Sequence, residues 1–147
     1  MSNYYSRTKK TSAVFLAGRL SDAADEFILA ELRREGLTDL MPSHGDIFSA
    51  LFAEDGQPMS AVAAKTHRTK STVTALADRL QKSGYIERRK RVGDARVVGL
   101  YLTEKGRALE PIFQGISERL CERLTQGMAP EEVTALENLL QKGLRNF

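Results

Sequence analysis

The chain has a single cysteine, Cys121, among its 147 residues, so no disulfide can form within it and a reducing compartment is the simpler expectation. Its two histidines, His44 and His67, are far from Cys121 in sequence, which argues against a Cys/His zinc site as an organising feature. Apolar residues nowhere run for the roughly 20 positions that a bilayer span requires. The basic stretch near the start is followed by an apolar run that Arg19 and Asp22 interrupt, unlike a secretory leader. A mature cytoplasmic protein with no membrane association is expected. No Ser/His/Asp set, metal-ligand spacing or phosphate-binding loop occurs, so the expectation is no enzyme, no cofactor and no metal.

What the chain does contain is an ordinary globular balance, with 41% hydrophobic and 28% charged residues. Its length suits one compact domain, or a small domain with an oligomerisation element. Charge is unevenly placed. Residues 65–96 hold ten Lys and Arg against three Asp and Glu, a formal +7, whereas the whole chain is +3 and the remainder is therefore −4. A basic cluster on an acidic body suits a polyanion bound at one face, nucleic acid being the commonest; a solvated charged surface is the plainer alternative.

Periodicity predicts a first helix over residues 12–35, with Leu16, Leu20, Ala23 and Phe27 at helical spacing and Gly36 as its terminator. Ser43 is the expected N-cap of a second helix over 44–53, which buries Ile47, Phe48, Leu51 and Phe52. After the turn at Glu54, Asp55 and Gly56, Pro58 and Met59 read as extended, and Ser60 as the cap of a short third helix over 61–66. Thr69 then caps a fourth, over 70–83, whose Val73, Leu76, Ala77 and Leu80 mark one buried face before Gly84 stops it.

The period changes to two in the next segment. Residues 85–91 and 96–102 read as strands, joined at a tip made of Val92, Gly93, Asp94 and Ala95. Two helices joined by a tight turn and followed by a basic hairpin predict a winged helix-turn-helix in a mainly α protein with a small two-stranded wing. Thr103 caps a fifth helix carrying Leu109, Ile112, Phe113, Ile116, Leu120 and Leu124, which Pro111 should kink or break. Pro130 starts a sixth, with Val133, Leu136, Leu140 and Leu144 on one face. Residues 36–102 are thus assigned to DNA binding, and 1–35 with 103–147 to dimerisation, since a homodimer would bury the leftover apolar stripes.

Three segments resemble the MarR family of bacterial transcriptional regulators: TKSTVTALADRLQKSGYIERR, the wing tip GDAR, and LTEKGRAL directly after the second strand. The resemblance implies a winged-helix homodimer, usually a repressor of nearby genes. Many such proteins release DNA when a small phenolic or amphipathic molecule binds, or when a cysteine is oxidised. It also implies that Arg96 enters the minor groove and that Asp94 orients it. Three departures limit the transfer: Ala75 stands where a larger polar residue is common, His67 where glycine is frequent, and Cys121 lies late in the fifth helix, where a small buried or interface side chain is the favoured reading over a redox sensor.

A helix fits the major groove, so Ser71, Thr72, Thr74 and Ala75 are candidates to meet phosphates, base edges or thymine methyl groups. Lys70 and Lys82 suit phosphate neutralisation, as do Arg88 and Lys90 on the half of the basic strand that faces DNA. The plainer alternatives are that Thr72 supports the helix start, that Arg79 pairs with Asp78 or with the body, and that Asp94 only shapes the turn. For a ligand, Phe15, Arg19, His44, Phe48, Phe52, Tyr101 and Phe113 are candidates to line a cavity suited to a small amphipathic or aromatic molecule. The alternative is a core of phenylalanines with His44 satisfied locally at a helix start. The expected partner is a pseudo-palindromic double-stranded operator, with an architectural or activating DNA binder lacking an effector, or a winged-helix protein-interaction module, as the alternatives.

Overall fold

A computed structural model describes residues 12–147; the first eleven residues of the region assigned to dimerisation lie outside the described part. Helix α1 (Ala13–Arg34) starts at Ser12, whose hydroxyl accepts the Phe15 N–H at 3.3 Å. It ends as expected: Gly36 takes φ +76°, and the Leu37 N–H returns to the Leu32 carbonyl at 2.9 Å.

Helix α2 (Pro42–Ala53) begins earlier than Ser43 predicts. Pro42 occupies its first position, where a preset φ and a missing N–H cost nothing, and His44 reaches back so that its Nδ1 accepts the Met41 N–H at 3.0 Å. The extended piece is a strand, β1 (Gln57–Pro58), followed without a Ser60 cap by α3 (Met59–Thr66). Pro58, extended at ψ 153°, occupies the cap position instead. His67 then takes φ +53°, the left-handed conformation that makes glycine common at such a turn.

Helix α4 (Lys70–Lys82) is capped by Thr69, whose hydroxyl accepts the Thr72 N–H at 3.2 Å. Strands β2 (Ile86–Arg91) and β3 (Asp94–Leu102) form the wing, and β1 joins the other edge of β3, so the sheet has three strands in the order β1-β3-β2. Arg91 pairs with Asp94 across a register shift, which shortens the expected four-residue tip to Val92 and Gly93. Asp94 and Ala95 belong to the strand because the bulge lets pairing extend further than side-chain alternation suggests.

The fifth helix is broken where Pro111 requires. A single turn, α5 (Glu104–Arg107), gives way at Ala108 and Leu109 to α6 (Glu110–Thr125), in whose first turn Pro111 needs no hydrogen-bond donor. Helix α7 (Pro130–Leu144) buries no residue within the chain, and Leu139, Leu140 and Leu144 lie exposed along it.

One core organises these elements. Ile47, Phe48 and Leu51 of α2, Val62 of α3, Val73, Ala77 and Leu80 of α4, and Ile86, Leu100 and Leu102 of the sheet meet beneath the wing. Leu32, Leu109 and Ile116 extend that core to α1 and α6. No helix among the described residues is long and apolar enough to cross a membrane.

Candidate nucleic-acid interface

Burial of Val73, Ala77 and Leu80 determines what α4 presents outward. Lys70, Ser71, Thr72, Ala75, Asp78, Arg79 and Lys82 are exposed, whereas Thr74 is half-buried and donates its hydroxyl to the Lys70 carbonyl at 2.8 Å. The Ser71 and Thr72 hydroxyls lie 3.1 and 2.9 Å from the Thr69 hydroxyl, forming a polar cluster at the helix N-terminus, where the macrodipole favours negative charge. Thr72 therefore takes part in the cap and is exposed at the same time.

Arg68 braces the turn before α4 by donating to Asp46 of α2 through Nε and Nη2, at 3.1 and 2.8 Å. Tyr85, just after α4, donates to Asp39 at 3.0 Å; burial first, and the Asp39 carboxylate second, push its phenol up to about 12. His44 moves the other way. Burial chiefly, with the nearby Arg79 charge, holds its imidazole below the ordinary 6.5, against the opposing pull of Asp39. Because Nδ1 accepts a hydrogen bond, the neutral ring carries its proton on Nε2, which is buried without a partner.

On the wing, strand alternation gives the basic residues different surroundings. Arg89 lies over the Tyr101 ring at 3.9 Å, and Arg91 is 3.8 Å from Glu54. Arg88, on the opposite face of β2, donates to both Gln81 and Asp78 of α4, each at 2.6 Å. Lys90 is exposed. The Asp94 carboxylate accepts from the Arg96 backbone N–H at 3.1 Å and from Arg96 Nε at 3.3 Å. The Arg96 side chain is otherwise open to solvent, with 92% of its surface exposed.

The candidate DNA residues consequently collect on two surfaces, the outer face of α4 and the wing. Asp78 pairs with Arg88 instead of the adjacent Arg79. Sequence reasoning missed this link, the Arg68–Asp46 brace and the Arg89–Tyr101 stack; none has a short sequence spacing to signal it.

The seven candidate ligand residues fall in separate places. Phe48, Phe52 and Phe113 stack together, with ring centroids 5.0 to 6.2 Å apart. His44 is buried at the start of α2. Tyr101 belongs to the base of the wing, where its hydroxyl accepts the Val92 N–H at 3.3 Å. Phe15 and Arg19 border a shallow depression on α1. No cavity found among the described residues contains all seven. A larger apolar groove of about 600 Å³ separates α1 from α6, lined by Leu20, Ala23, Phe27, Leu120 and Leu124, with Glu26 and Arg123 among its polar residues.

The fold and these surfaces define a winged helix-turn-helix protein. The MarR family model matches residues 41–98, which span the helix-turn-helix and most of the wing. Over these residues the chain is similar to the MarR family. It is 37% identical over 87 residues to the HTH-type transcriptional regulator YcgE of Bacillus subtilis, a match covering 55% of this chain and 56% of that protein. The chain thus spans little more than half the length of the curated relatives it matches. Similarity to the MarR-family regulator from Silicibacter pomeroyi extends further, with 27% identity, 94% and 91% coverage and a TM-score of 0.72. The fold is also that of an E. coli MarR variant complexed with operator DNA, at TM-score 0.77, 24% identity, and 88% and 91% coverage.

Proposed function

We propose that this chain is a homodimeric, DNA-binding transcriptional repressor released by a small-molecule effector. The observation that carries the DNA-binding reading is the combination of an exposed polar and basic face on α4 with a wing whose Arg96 is held at its base by Asp94. An α-helix matches the width of the major groove, and an extended arginine suits the narrower minor groove beside it, most strongly in A·T-rich DNA. Lys70, Lys82 and Lys90 supply phosphate attraction, while Ser71, Thr72 and Ala75 meet base edges and thymine methyl groups near the helix start.

Residues 36–102 form the DNA-binding part, with α1, α6 and α7 as the dimerisation part. Exposed Leu16, Leu139, Leu140 and Leu144, together with the apolar groove between α1 and α6, support association of two copies. Two α4 helices related by a twofold axis would read half-sites about 10 base pairs apart, or a multiple of that spacing. Effector release rests on the family resemblance, and within a single chain the candidate ligand residues are dispersed.

Selection of bound DNA from a random pool, followed by titration and sedimentation, tests the proposal. A dimer that enriches an inverted repeat supports it, as does a steep loss of affinity with salt. A monomer with no preferred sequence overturns it. A selected complex that stays intact across a panel of aromatic and amphipathic anions removes the effector step alone.

A further inference from the structure

We propose that Arg88 is a positioning residue that locks the wing to α4, in place of the phosphate contact its charge suggests. This inference rests on the DNA-binding reading above. Arg88 is the least exposed of the wing arginines Arg88, Arg89, Arg91 and Arg96, at 26%. Its Nη1 donates to Gln81 and its Nη2 to Asp78, both at 2.6 Å. Those two acceptors stand one helical turn apart on α4, a spacing matched to the rigid fork of a guanidinium. Among the described residues these are the side-chain hydrogen bonds that join the wing strands to α4.

The link also accounts for Asp78. An unpaired carboxylate on the outer face of α4 would repel phosphates, because like charge at an interface opposes association. With Arg88 against it, that charge is matched within the protein. A phosphate drawn to Arg88 would compete with Gln81 and Asp78 for the same guanidinium and would lie beside the Asp78 carboxylate. The geometry therefore couples two reading elements: α4, suited to the major groove, and the hairpin that carries Arg96. Their separation is set before DNA arrives, and that separation determines which spacing between a major-groove half-site and a minor-groove tract is read.

The test uses the full chain with Arg88→Ala, Asp78→Ala, the double variant and Arg88→Lys, which keeps the charge without the fork. DNA affinity is measured on the selected site over a salt series, and again on a site with one base pair inserted between the half-site centre and its flanking tract. Amide hydrogen exchange of the free protein reports wing mobility independently of DNA.

For a positioning role, each single alanine variant binds about tenfold more weakly, and the double variant no more weakly than either. Arg88→Lys does not restore binding, and the log-affinity against log-salt slope stays at the wild-type value. The single variants also tolerate the inserted base pair better than wild type, and exchange at wing amides accelerates in both. Tighter binding by Asp78→Ala, with the slope reduced by about 0.9 in Arg88→Ala, overturns the proposal in favour of a phosphate contact. Unchanged wing exchange overturns the lock by itself. If wild type shows no salt-dependent DNA binding, the DNA reading fails, and wing exchange alone decides whether Arg88 holds the wing.

Discussion

Glu31 of α1 and Arg119 of α6, 88 residues apart, form a two-pronged ion pair: the Glu31 carboxylate accepts from Arg119 Nε at 2.8 Å and lies 2.7 Å from Nη2. Its other oxygen accepts from Arg34 Nη1 at 2.8 Å. Only 8% of the Glu31 side chain is exposed, so both arginines hold a carboxylate that water scarcely reaches. The pair fixes the packing of the two helices that border the apolar groove.

Replacing Arg119 with Ala should therefore cost more than loss of an ordinary surface pair, because it leaves a buried carboxylate with Arg34 alone. Arg119 is itself 43% exposed, which screens the attraction. The expected loss is about 1–2 kcal/mol in urea-induced unfolding, with a smaller loss for Arg34→Ala, whose side chain is 75% exposed. Equal, negligible effects from both would show that the buried carboxylate is held by neither.

Arg96→Ala should weaken binding to the selected DNA by about 1–2 kcal/mol and leave the thermal midpoint nearly unchanged, because its only pair within the described residues, with Asp94, is solvent-exposed and adds little stability. Asp94→Asn should produce a smaller loss, since it weakens the orientation of Arg96 without removing its charge. Anisotropy titration beside a melting curve separates these effects. Unchanged affinity in Arg96→Ala would remove the wing from DNA recognition.

His44 makes stability depend on pH in a defined direction. Its folded pKa is lowered from 6.5, so the unfolded chain binds the proton more readily. The His44 contribution is fully present above 6.5 and declines as pH falls toward the depressed folded value. Wild type should lose thermal stability as pH falls below 6.5, and His44→Gln should show a shallower slope, since glutamine at this helix position can still accept the Met41 N–H. Parallel pH profiles would exclude His44 as the source.

Gly106 permits a close approach. A Cβ there would run into the Tyr85 carbonyl oxygen and stand 3.2 Å from Leu102 Cδ2, while the same carbonyl already accepts from the Thr103 N–H. Gly106→Ala should destabilise by about 1–3 kcal/mol through overpacking. Gly143→Ala is the control, because its Cβ would enter open space in a helix, and neutrality or a small gain is expected. Denaturant midpoints for the two variants distinguish local clash from a general intolerance of alanine.

The elements legible in sequence were those controlled by neighbours. Val73, Ala77 and Leu80 recur with the helical period, so the buried face of α4 follows from spacing, and its exposed candidates follow with it. Pro111 breaks the chain where its missing donor demands. Asp94 and Arg96, two residues apart, are near enough in sequence for their contact to be local. Cap assignments were less secure: Ser43 and Ser60 have cap chemistry, yet Pro42 and Pro58 impose the helix starts through their fixed φ.

Which cations remain open was decided only by tertiary structure. Arg88 and Arg96 look equivalent in a basic stretch, but the fold brings Arg88 to Asp78 and Gln81, while Arg96 stays open to solvent beside Asp94. It likewise disperses candidate ligand residues that share aromatic character, and adds β1 to the wing through pairing with a strand some 40 residues away in sequence. Sequence by itself determined the helical periods, the turns and the net charge, because backbone geometry and side-chain chemistry act over a few residues. The partners of Arg68, Arg88 and Arg119 depend on long-range closure of the chain, and that separates the cations left exposed from those tied to other elements of the fold.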